Sequence, residues 1–153
     1  MMTGNALLAQ AMMRVIYVVM IAASLWIMLR GHNTTGGGFI GGMIAVAASA
    51  AYALVFDAER AQRRMRFIGS MRNVNYTPQH VAALGVVLAL ASGLPALAWS
   101  LPYLTHLQAT LPLGWIELPL STAMLFDLGV YLSVWGALGG YCIALLRAME
   151  GAR

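Results

Sequence analysis

Long apolar stretches separated by short polar segments dominate the chain. Reading for uninterrupted apolar runs predicts four membrane-spanning helices, over about residues 6–29, 39–56, 78–100 and 121–146. Each run is close to the roughly 20 residues that the hydrocarbon core of a bilayer requires. Thr77 and Pro78 are a capping residue and a first-turn proline that open the third run, and Pro95 predicts a kink within it. The pattern predicts an all-α integral membrane fold, with residues 1–153 as a single membrane domain.

The composition excludes a water-soluble globule. Of the 153 residues, 61% are apolar and only 9% are charged, whereas roughly 25% of the residues in an average soluble domain are charged. The single cysteine, Cys142, has no partner for a disulfide within the chain. The sequence has no catalytic-triad spacing, no phosphate-binding Gly-Lys-Ser/Thr loop and no cluster of cysteine or histidine. It therefore predicts a membrane protein that is not an enzyme.

The placement of positive charge predicts the orientation of the four helices. All nine basic residues are arginine, and five of them lie between the second and third spans: Arg60, Arg63, Arg64, Arg66 and Arg72. Positively charged loops stay on the cytoplasmic side of a membrane. Residues 57–77 are therefore predicted to be a cytoplasmic loop, both termini to be cytoplasmic, and residues 30–38 and 101–120 to be outer loops. Arg14, near the start of span one, is expected to extend its side chain to the interface.

The first outer loop runs into a second span that is rich in small residues. Gly36, Gly37 and Gly38 disfavour an isolated helix, so this backbone is expected to be non-helical or closely packed. From there, small residues recur every four positions: Gly37, Gly41, Ala45, Ser49 and Ala53. Such a stripe lets helix backbones approach each other in lipid. The second span is therefore predicted to be a helix-packing element.

His32 and Asn33, in the same loop, could bind a cation, relay protons or cap the following helix. The sequence leaves these roles open. His106 and Glu117 fall on the same outer side, but these groups lack the spacing of a ligand set. No firm metal site is predicted, and Asp127 is only a weak candidate for binding sodium.

Asp127 is the most informative residue of the fourth span. It lies roughly 9 Å below the start of that helix at 1.5 Å per residue. A carboxylate at this depth is costly, so it is expected to face protein or water. Two roles stay open: direct participation in ion passage, or a buried pair that fixes the helix register. On a helical projection, Asp127 and Tyr131 lie opposite a face made of small residues: Gly129, Ser133, Gly136 and Gly140. Four helices are not expected to cover both faces, so further subunits are predicted.

Two long motifs resemble one known family. The first is Leu29-Arg30-Gly31-His32-Asn33 followed by Gly36-Gly37-Gly38-Phe39-Ile40-Gly41-Gly42, and the second is Ser121-Thr122-Ala123 followed by Leu125-Phe126-Asp127-Leu128-Gly129-Val130-Tyr131. Together with Ser92-Gly93-Leu94 and Pro102-Tyr103-Leu104-Thr105-His106, they make the chain similar, over nearly its whole length, to the MnhB/MrpB family, one of the small subunits of Mrp-type (Mnh) multisubunit sodium/proton antiporters. Thr35 departs from the proline that the family usually has before the three glycines.

The resemblance implies a complex that exports sodium in exchange for protons across the bacterial inner (cytoplasmic) membrane. Sodium and protons are its transported ions, and no cofactor is implied. The partners would be the A, C, D, E, F and G subunits of the Mrp antiporter and the lipid bilayer, with no nucleic acid. Ion-pathway or proton-relay candidates are Asp127, His32, Asn33 and Tyr131. The helix-packing candidates are Gly37, Gly41, Ala45, Ser49, Gly129, Gly136 and Gly140.

Two alternatives to a direct role in transport stay open. The chain could be a purely structural scaffold whose glycine faces dock larger subunits, or it could be the similar subunit of a membrane-bound hydrogenase-type ion-pumping complex. A stand-alone four-helix multidrug exporter fits poorly, because such a protein would be expected to have its essential acid in the first span, which contains Arg14 but no acid.

Overall fold

A computed structural model describes residues 4–30, 36–56, 77–98, 101–102, 105, 108–113 and 116–151 of the chain. The elements, in chain order, are the helices α1 (Gly4–Arg30), α2 (Gly37–Phe56), α3 (Pro78–Ala91) and α4 (Leu94–Ala98), the strands β1 (Gln108–Leu113) and β2 (Ile116–Ser121), the helix α5 (Thr122–Val134), a π-helical segment (Trp135–Gly139) and the helix α6 (Gly140–Gly151).

Four of the described helical stretches are long and apolar enough to cross a membrane. They are Leu7–Arg30, Gly37–Phe56, Pro78–Leu97 and Thr122–Met149, referred to below as spans one to four. Span two is the most enclosed: over an apolar stretch of 18 residues in each span, 50% of the residues are buried in span two, against 17% in span one and 22% in span three. Spans one and three are therefore the outer layers of the bundle.

Consecutive spans run in opposite directions. The end of the bundle that holds the start of spans one and three and the end of spans two and four is called the arginine end here, because residues 57–76 connect there in sequence. The opposite end holds the β-hairpin and is called the hairpin end. In the hairpin, β1 and β2 pair antiparallel from Gln108 opposite Ser121 to Leu113 opposite Ile116. Spans two and four run in the same direction and pack side by side.

Aromatic side chains join spans one and two near the arginine end. The rings of Tyr17 and Tyr52 have centroids 5.0 Å apart, and Tyr52 stacks on Phe56 at 4.4 Å. The guanidinium carbon of Arg14 lies 5.5 Å from the centre of the Phe56 ring, a cation–π distance. Because Phe56 is the last residue of α2, this contact places Arg14 level with the end of span two. The Arg14 side chain is exposed.

Spans three and four approach so closely that only glycine fits at their crossing. A Cβ atom on Gly129 would lie 2.5 Å from the backbone nitrogen of Ala89 and 2.7 Å from the carbonyl oxygen of Gly85. A Cβ on Gly136 would lie 2.5 Å from the nitrogen of Ala82. These are the contacts that small residues make possible between helices in lipid.

The sequence prediction of four spans in an all-α membrane fold is confirmed. The boundaries differ by a few residues: α2 begins at Gly37, after Gly36 turns the chain with a φ of 102°. The break in span three lies at Ser92 and Gly93, in the turn before Pro95, which fits the predicted kink because a proline has no N–H to donate to the carbonyl four residues earlier. In the predicted outer loop 101–120, the structure has a hairpin that the sequence did not predict. Most of the predicted loop 57–77 lies outside the described residues, and the cytoplasmic placement of the termini stays a prediction.

Candidate functional site

The polar face of span four packs against the glycine-rich beginning of span two. A Cβ atom on Gly38 would collide with the backbone carbonyl of Asp127, and one on Gly41 would lie 3.3 Å from Cδ2 of Tyr131. The small residues of α2 therefore lie directly against the helical turn that holds Asp127 and Tyr131. As the helical projection predicted, Tyr131 lies on the face opposite Gly129, which packs on span three.

Tyr131 links three spans at the centre of this contact. Its side chain is 2% exposed, and its hydroxyl lies 3.0 Å from Oγ of Ser24, which is fully buried in span one. The Ser24 hydroxyl donates to the carbonyl of Ile21 at 2.8 Å, so the tyrosine donates to the serine. A Cβ on Gly41 would lie 2.7 Å from the carbonyl oxygen of Ser24. Spans one, two and four thus meet around one buried hydroxyl pair.

A second buried hydrogen bond lies one turn further towards the arginine end. Trp135 Nε1 donates to Oγ of Ser49 at 2.8 Å, and the Ser49 hydroxyl donates to the carbonyl of Ala45 at 2.9 Å. Trp135 is also the first residue of the π-helical segment, and its ring lies 5.9 Å from that of Tyr131. The two hydrogen bonds hold span four in one register against spans one and two.

Asp127 is the only acidic residue within the four described spans. It is half-buried and lies five residues after Thr122, roughly 7.5 Å along the helix. Its backbone touches Gly38, in the first turn of α2, where the free N–H groups of a helix favour negative charge nearby. The site therefore places the backbone of one acidic residue against the first turn of α2.

Replacing Tyr131 with phenylalanine is expected to lower the free energy of unfolding by about 0.6–1.7 kcal/mol, the range for a hydrogen bond between membrane helices. The Ser24 hydroxyl keeps its bond to Ile21 in this variant, so only the interhelical bond is lost. Unfolding in mixed detergent micelles measures the change.

The control for this substitution is Tyr141→Phe, because that ring is 63% exposed. A control variant as destabilised as Tyr131→Phe would contradict the assigned role of the buried hydroxyl pair.

The structure brings some of the predicted site residues together. Asp127 and Tyr131 share one region, while His32 and Asn33 lie outside the described residues. The packing candidates of span two are buried: Gly37, Gly41, Ala45 and Ser49. In span four, Gly129 and Gly136 are buried and Gly140 lies against Pro78 of span three.

One expectation about these faces is wrong. Four helices of one chain were not expected to cover both faces of span four, yet the glycine face packs on span three and the Tyr131 face packs on spans one and two of the same chain. The glycine faces are therefore used inside the subunit, because α2 and α3 lie on either side of span four.

Sequence reasoning missed three residues that shape this region. Ser24 and Trp135 form the interhelical hydrogen bonds, and Gly85 provides the second half of the close crossing at Gly129. Ser24 had a usable signal, because a hydroxyl within an apolar span needs a partner. The sequence offers no comparable signal for the π-helical segment.

Comparison with known proteins identifies the family. The sequence model described as "Domain related to MnhB subunit of Na+/H+ antiporter" matches residues 8–140. The chain belongs to the MnhB family. This assignment confirms the family that the two sequence motifs resemble. With its four membrane spans, this MnhB chain is a multi-pass protein of the bacterial inner membrane.

Two curated relatives of this MnhB chain are of similar length. The B-type subunit of the Na(+)/H(+) antiporter of Bacillus subtilis is 33% identical over 138 residues, covering 86% of this chain and 87% of the relative. The protein of the same name from Alkalihalophilus pseudofirmus is 32% identical over 134 residues, covering 87% of each.

A solved structure of an Mrp complex, from Dietzia sp. DQ12-45-1b, contains the same fold. The match has a TM-score of 0.71 and 29% sequence identity, and it covers 93% of this chain. The chain spans 14% of the length of the chain that it matches there. The MnhB fold thus occurs in that structure within a much longer polypeptide.

Proposed function

We propose that this chain is a membrane subunit of an Mrp-type sodium/proton antiporter, and that the region around Asp127 contributes to the movement of cations. Sodium and protons are the transported ions in this proposal. The chain catalyses no chemical reaction of its own and needs no cofactor. Membership of the MnhB family and the likeness to an Mrp complex support the subunit role.

The observation that carries the role of Asp127 is that the four described spans contain this one acidic residue. It is half-buried and set against the beginning of span two. Placing a carboxylate in this position costs free energy. Membrane proteins retain a charged side chain within a span mainly where the charge belongs to an ion pathway or to an ion pair. A group that can hold either a proton or a cation suits an antiporter, because the two ions must compete for a shared step.

The partners in this proposal are the A, C, D, E, F and G subunits. They would contact the outer layers of the bundle, because the glycine faces are occupied within the chain. Span one presents a broad apolar surface that includes Leu8, Val15 and Trp26, all more than 60% exposed. Such a surface suits contact either with lipid or with a neighbouring membrane subunit.

Deletion and return of the chain test the subunit role. Everted vesicles from cells that lack only this chain are expected to show no more sodium-dependent proton antiport than vesicles from cells that lack the whole antiporter. Expression of the chain in the same cells is expected to restore antiport, and the other subunits should copurify with it. Normal antiport without the chain, or its purification free of the other subunits, would contradict the proposal.

A purely structural subunit is the second candidate. The buried hydrogen bonds at Ser24 and Ser49 favour it, because they fix helix register without involving Asp127. In that case, variants of Asp127 and His32 would transport normally in whatever complex assembles. A role in a hydrogenase-type complex receives less support, since the curated relatives compared above are named as antiporter subunits.

A further inference from the structure

A cavity of about 650 Å³ opens at the arginine end between spans three and four. One wall comes from the beginning of α3 and the other from the π-helical segment and α6. Pro78 and Gly140 touch at this point, since a Cβ on Gly140 would lie 2.6 Å from Cβ of Pro78. The cavity lies on the other side of the bundle from the contact between Tyr131 and span one, and no step of the proposed transport role uses it.

The chemistry of the lining changes along the helix axes. Towards the middle of the bundle the walls are small and apolar, with Ala82, Ala137 and Ala144. At the helix ends they become polar, with Gln79 and Arg147. Ala137 and Arg147 are ten residues apart on one helical stretch, roughly 15 Å along its axis. An amphipathic molecule with a polar group at one end and a hydrocarbon chain along the helices matches this order.

The charge at the mouth of the cavity indicates which kind of polar group the amphipathic molecule has. Among the described residues that line the cavity, Arg147 is the one charged side chain, and it is exposed; Glu150 follows it by three residues in the same helix. Basic pockets between membrane helices bind anionic lipid headgroups. A planar guanidinium is also well suited to a phosphate group.

We propose that this cavity binds an anionic phospholipid. Its phosphate lies at Arg147, and one acyl chain extends along Ala144 and Ala137 between spans three and four. The site is separate from the transport role, so lipid binding can be measured whether or not the complex moves sodium.

The test measures lipid binding to the purified antiporter complex that contains this chain. Native mass spectrometry compares palmitoyl-oleoyl phosphatidylglycerol with phosphatidylcholine of the same acyl chains. Arg147→Gln is expected to lower the affinity for phosphatidylglycerol at this site roughly fivefold, the effect of one basic residue near a membrane surface, and to leave phosphatidylcholine binding unchanged. Arg147→Lys keeps the charge and is expected to retain the preference. Equal phosphatidylglycerol binding by the wild type and Arg147→Gln would overturn the proposal.

Two further variants separate the cavity from the headgroup contact. Ala144→Phe fills the cavity and is expected to exclude the lipid, whereas Ala83→Phe, at an exposed alanine of α3 outside the cavity, is expected to bind as the wild type does. A photoreactive side chain at Ala137 is expected to label lipid. Labelling of a protein subunit instead would show that a partner helix fills the cavity and would overturn the proposal.

Discussion

Asp127→Asn is expected to lower sodium-dependent antiport about tenfold or more while the complex still assembles. Asparagine has nearly the same shape as aspartate, so the backbone contact between Asp127 and Gly38 is retained. The asparagine amide, however, does not accept a proton near neutral pH, and it has no negative charge to bind a cation. A tenfold loss corresponds to about 1.4 kcal/mol in the rate-limiting barrier. Vesicle antiport measured per assembled complex gives the value.

The matched control for this substitution is Asp127→Glu, which keeps a carboxylate on a side chain one methylene longer. It is expected to transport measurably better than Asp127→Asn. Full antiport by the asparagine variant would remove the direct role and leave Asp127 as a structural residue at most. Loss of the complex itself in Asp127→Asn, judged on a native gel, would instead assign the carboxylate to folding or assembly.

Gly136→Leu is expected to prevent accumulation of the folded subunit and therefore of the complex. The new Cβ would lie 2.5 Å from the backbone nitrogen of Ala82 and 2.8 Å from the carbonyl oxygen of Pro78, and backbone atoms cannot rotate away. Spans three and four would have to separate, which would also break the crossing at Gly129. Overpacking in a core typically costs about 1–3 kcal/mol. We expect a larger cost here, a substantial part of the roughly 5–15 kcal/mol that holds a protein folded.

Ala83→Leu provides the control for Gly136→Leu, because this alanine of α3 is exposed. The amount of complex on a native gel should be unchanged in the control and reduced to background in Gly136→Leu. Normal assembly by Gly136→Leu would contradict the close approach of the backbones of spans three and four at Gly136.

Apolar run length predicted the spans well, since a bilayer imposes a nearly fixed helix length on any sequence that crosses it. Pro95 also predicted the break in span three. The break lies at Ser92 and Gly93, in the turn before the proline, because proline has no N–H to donate to the carbonyl four residues earlier. The sequence does not reveal that the Ser92 hydroxyl also bonds back to the carbonyl of Ala89 at 2.7 Å. The hairpin between spans three and four was not predicted, because its segments are rich in proline and leucine and strand pairing depends on a partner that a single segment does not reveal.

The candidate site was only partly predictable. Helical periodicity correctly separated the Gly129 face from the Tyr131 face, because that calculation needs only a fixed rotation per residue. It could not say which neighbour covers each face: spans of the same chain cover both, although four helices were not expected to do so. Pairings such as Tyr131 with Ser24 join residues 107 positions apart, and no local pattern encodes that separation.

The position of span four between spans two and three has a consequence for biogenesis. This helix is synthesised after the other three, yet it packs between spans two and three. Until it enters the membrane, Gly38 and Gly42 of span two and the Gly85 face of span three lack the neighbour that they have in the folded subunit. The nascent subunit must therefore keep the position between spans two and three open for span four. A chain truncated before Thr122 would lack the helix that joins span three to the pair formed by spans one and two, and would be a natural substrate for membrane quality-control proteases.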